Sequence, residues 1–195
     1  MGASVTTHQS NRREMLKLSG MGVLGGAAAG SLITTKVQAA GAAIKIPFAS
    51  WIHGHSMHVE YPDRVASERR TGFSINIEGK PGSTNWFHFA IPTPVLINDV
   101  RLRADSVMLC FKTHSVDAWV RDVHVYDGYT LIAVHDKVNM SKDHLFERFI
   151  VPDRPEVWLG IGISIGVSCG VESMDHHMEF FAAGCDFATE QAKME

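Results

Sequence analysis

Residues 157–170, VWLGIGISIGVSCG, alternate with a strict period of two. Val157, Leu159, Ile161, Ile163, Ile165, Val167 and Cys169 fall on one side; Trp158, Gly160, Gly162, Ser164, Gly166, Ser168 and Gly170 fall on the other. Successive side chains of a β-strand point to opposite faces, so the pattern predicts a strand with one bulky apolar face and one nearly bare face. Interior glycines cost a helix roughly 1 kcal/mol each, and β-branched residues prefer a pleated surface, which excludes a helix. At ~3.3 Å per residue such a strand reaches about 40 Å. Its odd face belongs in a core. Its Gly/Ser face must admit another backbone, a second chain or a ligand, or else curve the sheet. The strand is expected at the centre of its sheet.

Short alternating runs punctuated by Gly, Pro, Asn and Asp fill the rest of the chain. Strands are expected at Trp51–Tyr61, Phe73–Glu78, Asn85–Ile91, Val107–Lys112, Leu145–Val151 and His177–Phe187, with a smaller pair flanking Asn98-Asp99. Nine or ten strands with frequent turns, and no amphipathic helix after the leader, predict one all-β domain over 40–195. Its expected form is an antiparallel, jelly-roll-like β-sandwich.

One hairpin is readable in detail. Asp127-Gly128 predicts a two-residue type I′ turn that pairs Tyr126 with Tyr129. That register puts Trp119, Val123, Val125, Ile132 and Val134 in the core. It puts Asp122, His124, Tyr126, Tyr129, Leu131 and His135 on the other face, which is polar yet aromatic. With Trp158 at the end of the glycine strand, Asp122, His124, Tyr126, Tyr129 and His135 are the candidate ligand residues. An ordinary solvent face with cross-strand aromatic packing reads the same way.

The densest ligand-like cluster is His53-Gly-His55-Ser-Met57-His58. On a strand His53, His55 and Met57 share a face, a set suited to copper, or to zinc with another ligand. Asp175-His176-His177 and the pair His124 and His135 are possible remote ligands. Histidines are numerous enough for accidental clusters, however, and no cofactor is favoured. No nucleophile elbow, Walker loop or dinucleotide motif appears, so no catalytic residue is nominated, although a cupin-like metalloenzyme remains an alternative. Of three cysteines, Cys169 and Cys185 could bridge in an oxidising compartment, leaving Cys110 as a thiol; three buried thiols is the equal alternative.

The first residues read NRREMLK, then an uncharged Gly/Ala-rich run of about 16 residues, then TTKVQAA. This resembles a twin-arginine export signal, with Arg12-Arg13 as its pair and cleavage expected after Ala39. The resemblance implies passage through the twin-arginine machinery, a folded passenger, and a periplasmic or secreted mature chain. A membrane anchor is the alternative, but the run is short for a ~20-residue span, and no stable insertion after cleavage is expected. Residues 1–39 hold four of the 18 bases and one of the 21 acids, which leaves 14 bases against 20 acids, a net of −6. That acidity argues against nucleic acid as a partner. A glycan or a second copy of the chain is the expected partner of a non-catalytic binding module.

The strings NWFHFAIPTP (85–94), VDAWVRDVHVYDG (116–128), HLFERFIVP (144–152) and GIGISIGV (160–167) resemble a bacterial domain family of unknown function. The likeness runs from Trp51 to about Phe187. It implies a compact β-sandwich and carries over no functional residue.

Overall fold

Alternation becomes two facing sheets because each strand has one apolar side to bury. The computed structural model describes residues 46–172 and 175–189. In chain order the strands are Phe48–His53 (β1), His58–Val59 (β2), Val65–Arg70 (β3), Ile75–Gly79 (β4), Thr84–Ala90 (β5), Leu96–Ile97 (β6), Val100–Arg101 (β7), Arg103–Thr113 (β8), Ala118–Asp127 (β9), Thr130–His135 (β10), Asp143–Ile150 (β11), Ile161–Cys169 (β12) and His177–Ala188 (β13). One sheet runs β11-β8-β13-β4-β3, with β1 also on β13; the other runs β10-β9-β12-β5-β2. All pairings are antiparallel, and β6 and β7 form a separate small hairpin. The architecture is an all-β antiparallel sandwich, as expected. No α-helix occurs among the described residues.

The core lies between the inner faces. Phe87 and Phe89 of β5, Val123 and Val125 of β9, and Ile161, Ile163, Ile165 and Val167 of β12 meet Ile75, Ile77, Leu109, Phe111, Met178, Phe180, Ala183 and Phe187 from the opposite sheet. Phe180 contacts both Phe87 and Phe89, with ring centroids 5.3 and 5.7 Å apart. The glycine strand is central, flanked by β9 and β5. It is shorter than expected, beginning at Ile161 rather than Val157. The reason is Asp127, whose carboxylate accepts the amides of Trp158, Leu159 and Gly160 at 2.7, 2.8 and 2.8 Å. Those amides are taken from the ladder, the chain turns at Gly160 (φ +141°), and Leu159 points into solvent instead of the core.

Two bulges in the β12 sheet alter which residues face inward, because each inserts one unpaired residue and reverses the alternation beyond it. On β9, Gly166 opposes Asp122 and Val167 opposes Val120, so Arg121 is the extra residue. Val120 and Ala118 therefore enter the core, and Trp119, expected there, turns outward beside Ser168. On β10, Leu131 opposes Tyr126 and Ala133 opposes Val125, so Ile132 is extra. Ala133 takes the core place expected for Val134, and His135 pairs with Val123 on the inner side, its ring tilted against Phe149 at 5.3 Å. The turn itself joins Asp127 to Thr130 through Gly128 and Tyr129. Only Gly128 has positive φ (+57°), so it is not the type I′ turn that Asp127-Gly128 suggested. In the β6–β7 hairpin, by contrast, both central residues, Asn98 and Asp99, take positive φ (+49° and +62°).

Cys169 and Cys185 are not bridged: Cys110, Cys169 and Cys185 are all free and buried. Cys169 lies against Gly79, which follows Glu78, the partner of His177. Cys185 sits eight residues farther along β13, about 26 Å away at strand rise, beyond the reach of a disulfide. Burial raises the Cys169 thiol to about 11, with Asp117 adding to the effect, and burial raises Cys110 and Cys185 as well. The leader residues Arg12, Arg13 and Ala39 lie outside the described residues.

Candidate functional site

The bare side of β12 faces away from the core, and its neighbours build the site around it. Register gives four rows across the outer face. Tyr126, Gly162 and Ala90 form the first; His124, Ser164, His88 and His58 the second; Asp122, Gly166 and Trp86 the third; Trp119, Ser168 and Thr84 the fourth. The result is a trough one strand wide, floored by Gly and Ser. Tyr126, His124 and Asp122 wall it on one side; Ala90, His88 and Trp86 wall it on the other.

The floor differs along its length. A Cβ on Gly166 would meet the Trp86 ring at 3.1 Å and Asp122 Oδ2 at 3.2 Å, so Trp86 already lies over that position. A Cβ on Gly162 would meet nothing nearer than Tyr126 Cβ at 4.0 Å. The trough is therefore roofed at Gly166 and open at Gly162.

Polar groups along the walls are held in place. His88 Nε2 donates to Glu60 Oε2 at 2.9 Å, so in the neutral ring Nδ1 accepts from the Ser164 hydroxyl, also at 2.9 Å. The Tyr61 hydroxyl first, and His88 after it, hold the Glu60 carboxyl below its ordinary range against partial desolvation. His124 lies 4.9 Å from the Trp86 ring, and its Nε2 donates to Asp136 at 2.8 Å. Burial opposes ionisation of Asp122, but the Lys137 amide at 3.0 Å, the Arg121 guanidinium and His124 outweigh it and keep that carboxyl below its usual range.

Of the residues expected on a ligand face, Asp122, His124 and Tyr126 do share this one. His135 does not, because the β10 bulge turns it inward. Tyr129 and Trp158 meet elsewhere, lining a depression of about 490 Å³ at the end of the sandwich with Thr130, Ile132, Pro155, Glu156 and Leu159. Trp86, His88, Ser164 and Glu60 were missed. Alternation around Phe87 and Phe89 places Trp86 and His88 outward, but no local pattern says that β5 lies beside β12.

The cluster at His53, His55 and Met57 does not converge on a point. Gly54–Ser56 is a 3-10 turn rather than strand, because Gly54 lies hard against the Phe180 carbonyl, where a Cβ would sit 2.0 Å away. Met57 turns into the core, while the His53 and His55 rings pack edge-on at 4.3 Å. His53 Nδ1 accepts the His55 amide, and His55 Nε2 faces the Thr71 carbonyl. His176 is bonded to Asp117 at 2.7 Å and His177 to Asp175; His177 lies five residues along β13 from the partner of His53. Among the described residues no group of three or more His, Cys, Asp or Glu side chains is placed to hold a metal ion.

A model of the family of unknown function DUF6623 matches residues 47–190. No curated protein matches the chain. Among solved structures, a low-affinity xylan-binding module, CBM86, from Roseburia intestinalis aligns at 9% identity and TM-score 0.44, covering 72% of this chain and 96% of that one. A family 29 carbohydrate-binding module from Piromyces equi aligns at 11% identity and TM-score 0.37, covering 74% and 93%. A cyclase from Fischerella sp. TAU aligns at 11% identity and TM-score 0.38, covering 73% and 91%. Binding modules and an enzyme stand at similar distances, so these likenesses do not discriminate between functions.

Proposed function

The chain belongs to the family of unknown function DUF6623, which carries no activity to transfer, and from its own geometry we propose a non-catalytic glycan-binding module that uses the outer face of the β12 sheet. One observation supports the reading above others. The floor is open at Gly162, and it is walled by Tyr126 with His124, Ser164 and His88 in the next row. An aromatic side chain covers the apolar face of a sugar ring while fixed imidazole, hydroxyl and carboxylate groups meet its hydroxyls. Those groups are already oriented by Glu60 and Asp136, which lowers the ordering cost of binding. Tyr126→Ala is expected to abolish retention on polysaccharide or cell-wall columns without changing the melting temperature. Wild-type retention of that variant on every matrix that holds the parent removes the reading.

Self-association is a second reading, favoured by a separate observation on the opposite sheet. Trp51 folds over Gly184 and meets Phe146 at 5.6 Å, and Phe146, Leu145 and Ile150 are exposed around them. A melting temperature that rises with protein concentration, together with a dimer in solution, supports it. The mature chain acts outside the cytoplasm on this proposal, delivered by the leader; Arg12→Lys with Arg13→Lys should block export, and unchanged periplasmic yield counts against it.

A further inference from the structure

The proposed sheet-face site leaves Tyr129 and Trp158 unused, although they are among the most exposed aromatics of the molecule. Tyr129 is 89% exposed and Trp158 60%. Large aromatic surface left in water forgoes the stabilisation of burial, so its neighbours' construction decides whether it is incidental. Here the construction is elaborate. The Asp127 carboxylate grips three consecutive amides from Trp158 to Gly160. The Arg101 guanidinium lies 3.7 Å over the Trp158 ring, and its Nη1 donates to the Val157 carbonyl at 2.9 Å. Upstream, Asp153 and Arg154 take positive φ (+59° and +44°), a sparsely populated conformation for such residues. Arg154 is held there by Asp105 at 2.5 Å, and its carbonyl accepts from Arg103 at 3.0 Å. The segment from Asp153 to Gly160 is thus over-determined, and what it presents is one tryptophan.

We propose that the depression between Tyr129 and Trp158 is a second glycan-binding site, separate from the sheet face, so that one domain grips a polysaccharide at two points. For its class of ligand the proposal rests on the glycan reading above. The lining supplies that chemistry independently. Its volume of about 490 Å³ falls among small-ligand sites, and its walls are Ile132, Pro155 and Leu159 beside the two aromatics. Its polar groups are the Thr130 and Tyr129 hydroxyls, the Trp158 indole N–H and the Glu156 carboxylate, which Arg103 approaches at 3.8 Å, since Asp127 is committed to the three amides. Among the described residues no lysine or arginine lines it, and Arg101 is engaged on Trp158. A neutral hydroxylated ring suits this set better than an anion. Asp127 belongs to the inner side of β9 and Tyr126 to the outer, so the two sites do not share a surface.

The chain has four tryptophans, so indole N–H signals report each site in one 15N-edited titration. The probes are soluble cellohexaose, xylohexaose and N-acetylchitohexaose. With at least one of them, the Trp86 and Trp158 signals are expected to shift with separate midpoints. Trp158→Ala is expected to leave the Trp86 shift intact and to weaken binding to the matching insoluble polysaccharide about tenfold or more, through lost avidity. Tyr129→Ala, at a solvent-exposed turn, should weaken the Trp158 shift and keeps the test valid if Trp158→Ala unfolds. A shift at Trp86 with Trp158 unmoved overturns the second site and leaves the sheet-face reading standing. A shift at Trp158 alone sustains this site but removes the sheet-face site and, with it, the two-point grip. No shift at either with all three sugars overturns both.

Discussion

Gly162 and Gly166 lie four residues apart on one face of β12, and substituting valine at each is expected to have opposite effects on stability. Glycine within a strand costs roughly 0.5–1 kcal/mol in backbone freedom relative to alanine, and valine suits a pleated surface better still. At Gly162 the new Cβ meets nothing within contact except Tyr126 Cβ at 4.0 Å. Gly162→Val should therefore gain about 0.5–1 kcal/mol. At Gly166 the Cβ alone meets Trp86 at 3.1 Å and Asp122 at 3.2 Å, and the two methyls lie farther into the same ring. Overpacking of that kind costs about 1–3 kcal/mol, which exceeds the backbone gain. The backbone gain is common to both, so at about 3 °C per kcal/mol for a domain of this size the melting temperatures should separate by roughly 3–9 °C, with Gly162→Val at or above the parent. Differential scanning calorimetry reads the difference. Gly162→Val should also fill the open floor and lose glycan retention despite its stability. If both variants melt equally far below the parent, the trough is not open at Gly162 and the site as described is wrong.

Asp127→Ala leaves three amides without their acceptor, so it should cost about 3 kcal/mol and lower the melting temperature by roughly 9 °C; a change within 2 °C of the parent by roughly the same conversion contradicts the role given to Asp127. Ellman's reagent at pH 8 should label none of the three cysteines until the protein is unfolded, because burial raises all three thiols, Cys169 to about 11; rapid labelling of one equivalent in the native state refutes this. Asp122 has a depressed folded pKa, so its stabilisation is present above the unfolded value near about 4 and is lost as pH falls through the folded one. Melting curves of the parent and Asp122→Asn should therefore differ at neutral pH and converge in acid; a gap that stays constant from neutrality to pH ~2 would exclude the linkage.

What the sequence made legible follows from how local each determinant is. The sandwich class, the central glycine strand and most strand positions came from period-two alternation, which needs only a few neighbouring residues. β3 escaped because Val65–Arg70 carries almost no apolar alternation; as an edge strand rich in Glu and Arg it buries little and blunts the sheet edge. Leu159 was misplaced because the carboxylate that ends the alternation at Gly160 comes from Asp127, more than thirty residues away. Asp122, His124 and Tyr126 could be grouped because they sit on one strand. Trp86 and His88 could not, since strand order is a property of the whole sheet.

The bulge at Arg121 shows why the site and the core can be altered separately. Strict alternation through Arg121, with Val123 and Val125 facing inward, would send Arg121 and Trp119 into the core and Val120 onto the outer face. With the bulge, Val120 and Ala118 pack inside, and every residue of β9 that walls the trough stands on the other side of the backbone from those that fill the sandwich. Arg121 itself stays over the outer face, paired with Asp122 and 5.9 Å from the Trp86 ring. Deleting Arg121 would restore regular pairing and leave Val120 inward and Trp119 outward, as the register already has them. Asp122 would lose its guanidinium partner. With Arg121 in the chain, the irregularity is what lets one strand keep a dry face for the fold and a polar, aromatic face for a ligand.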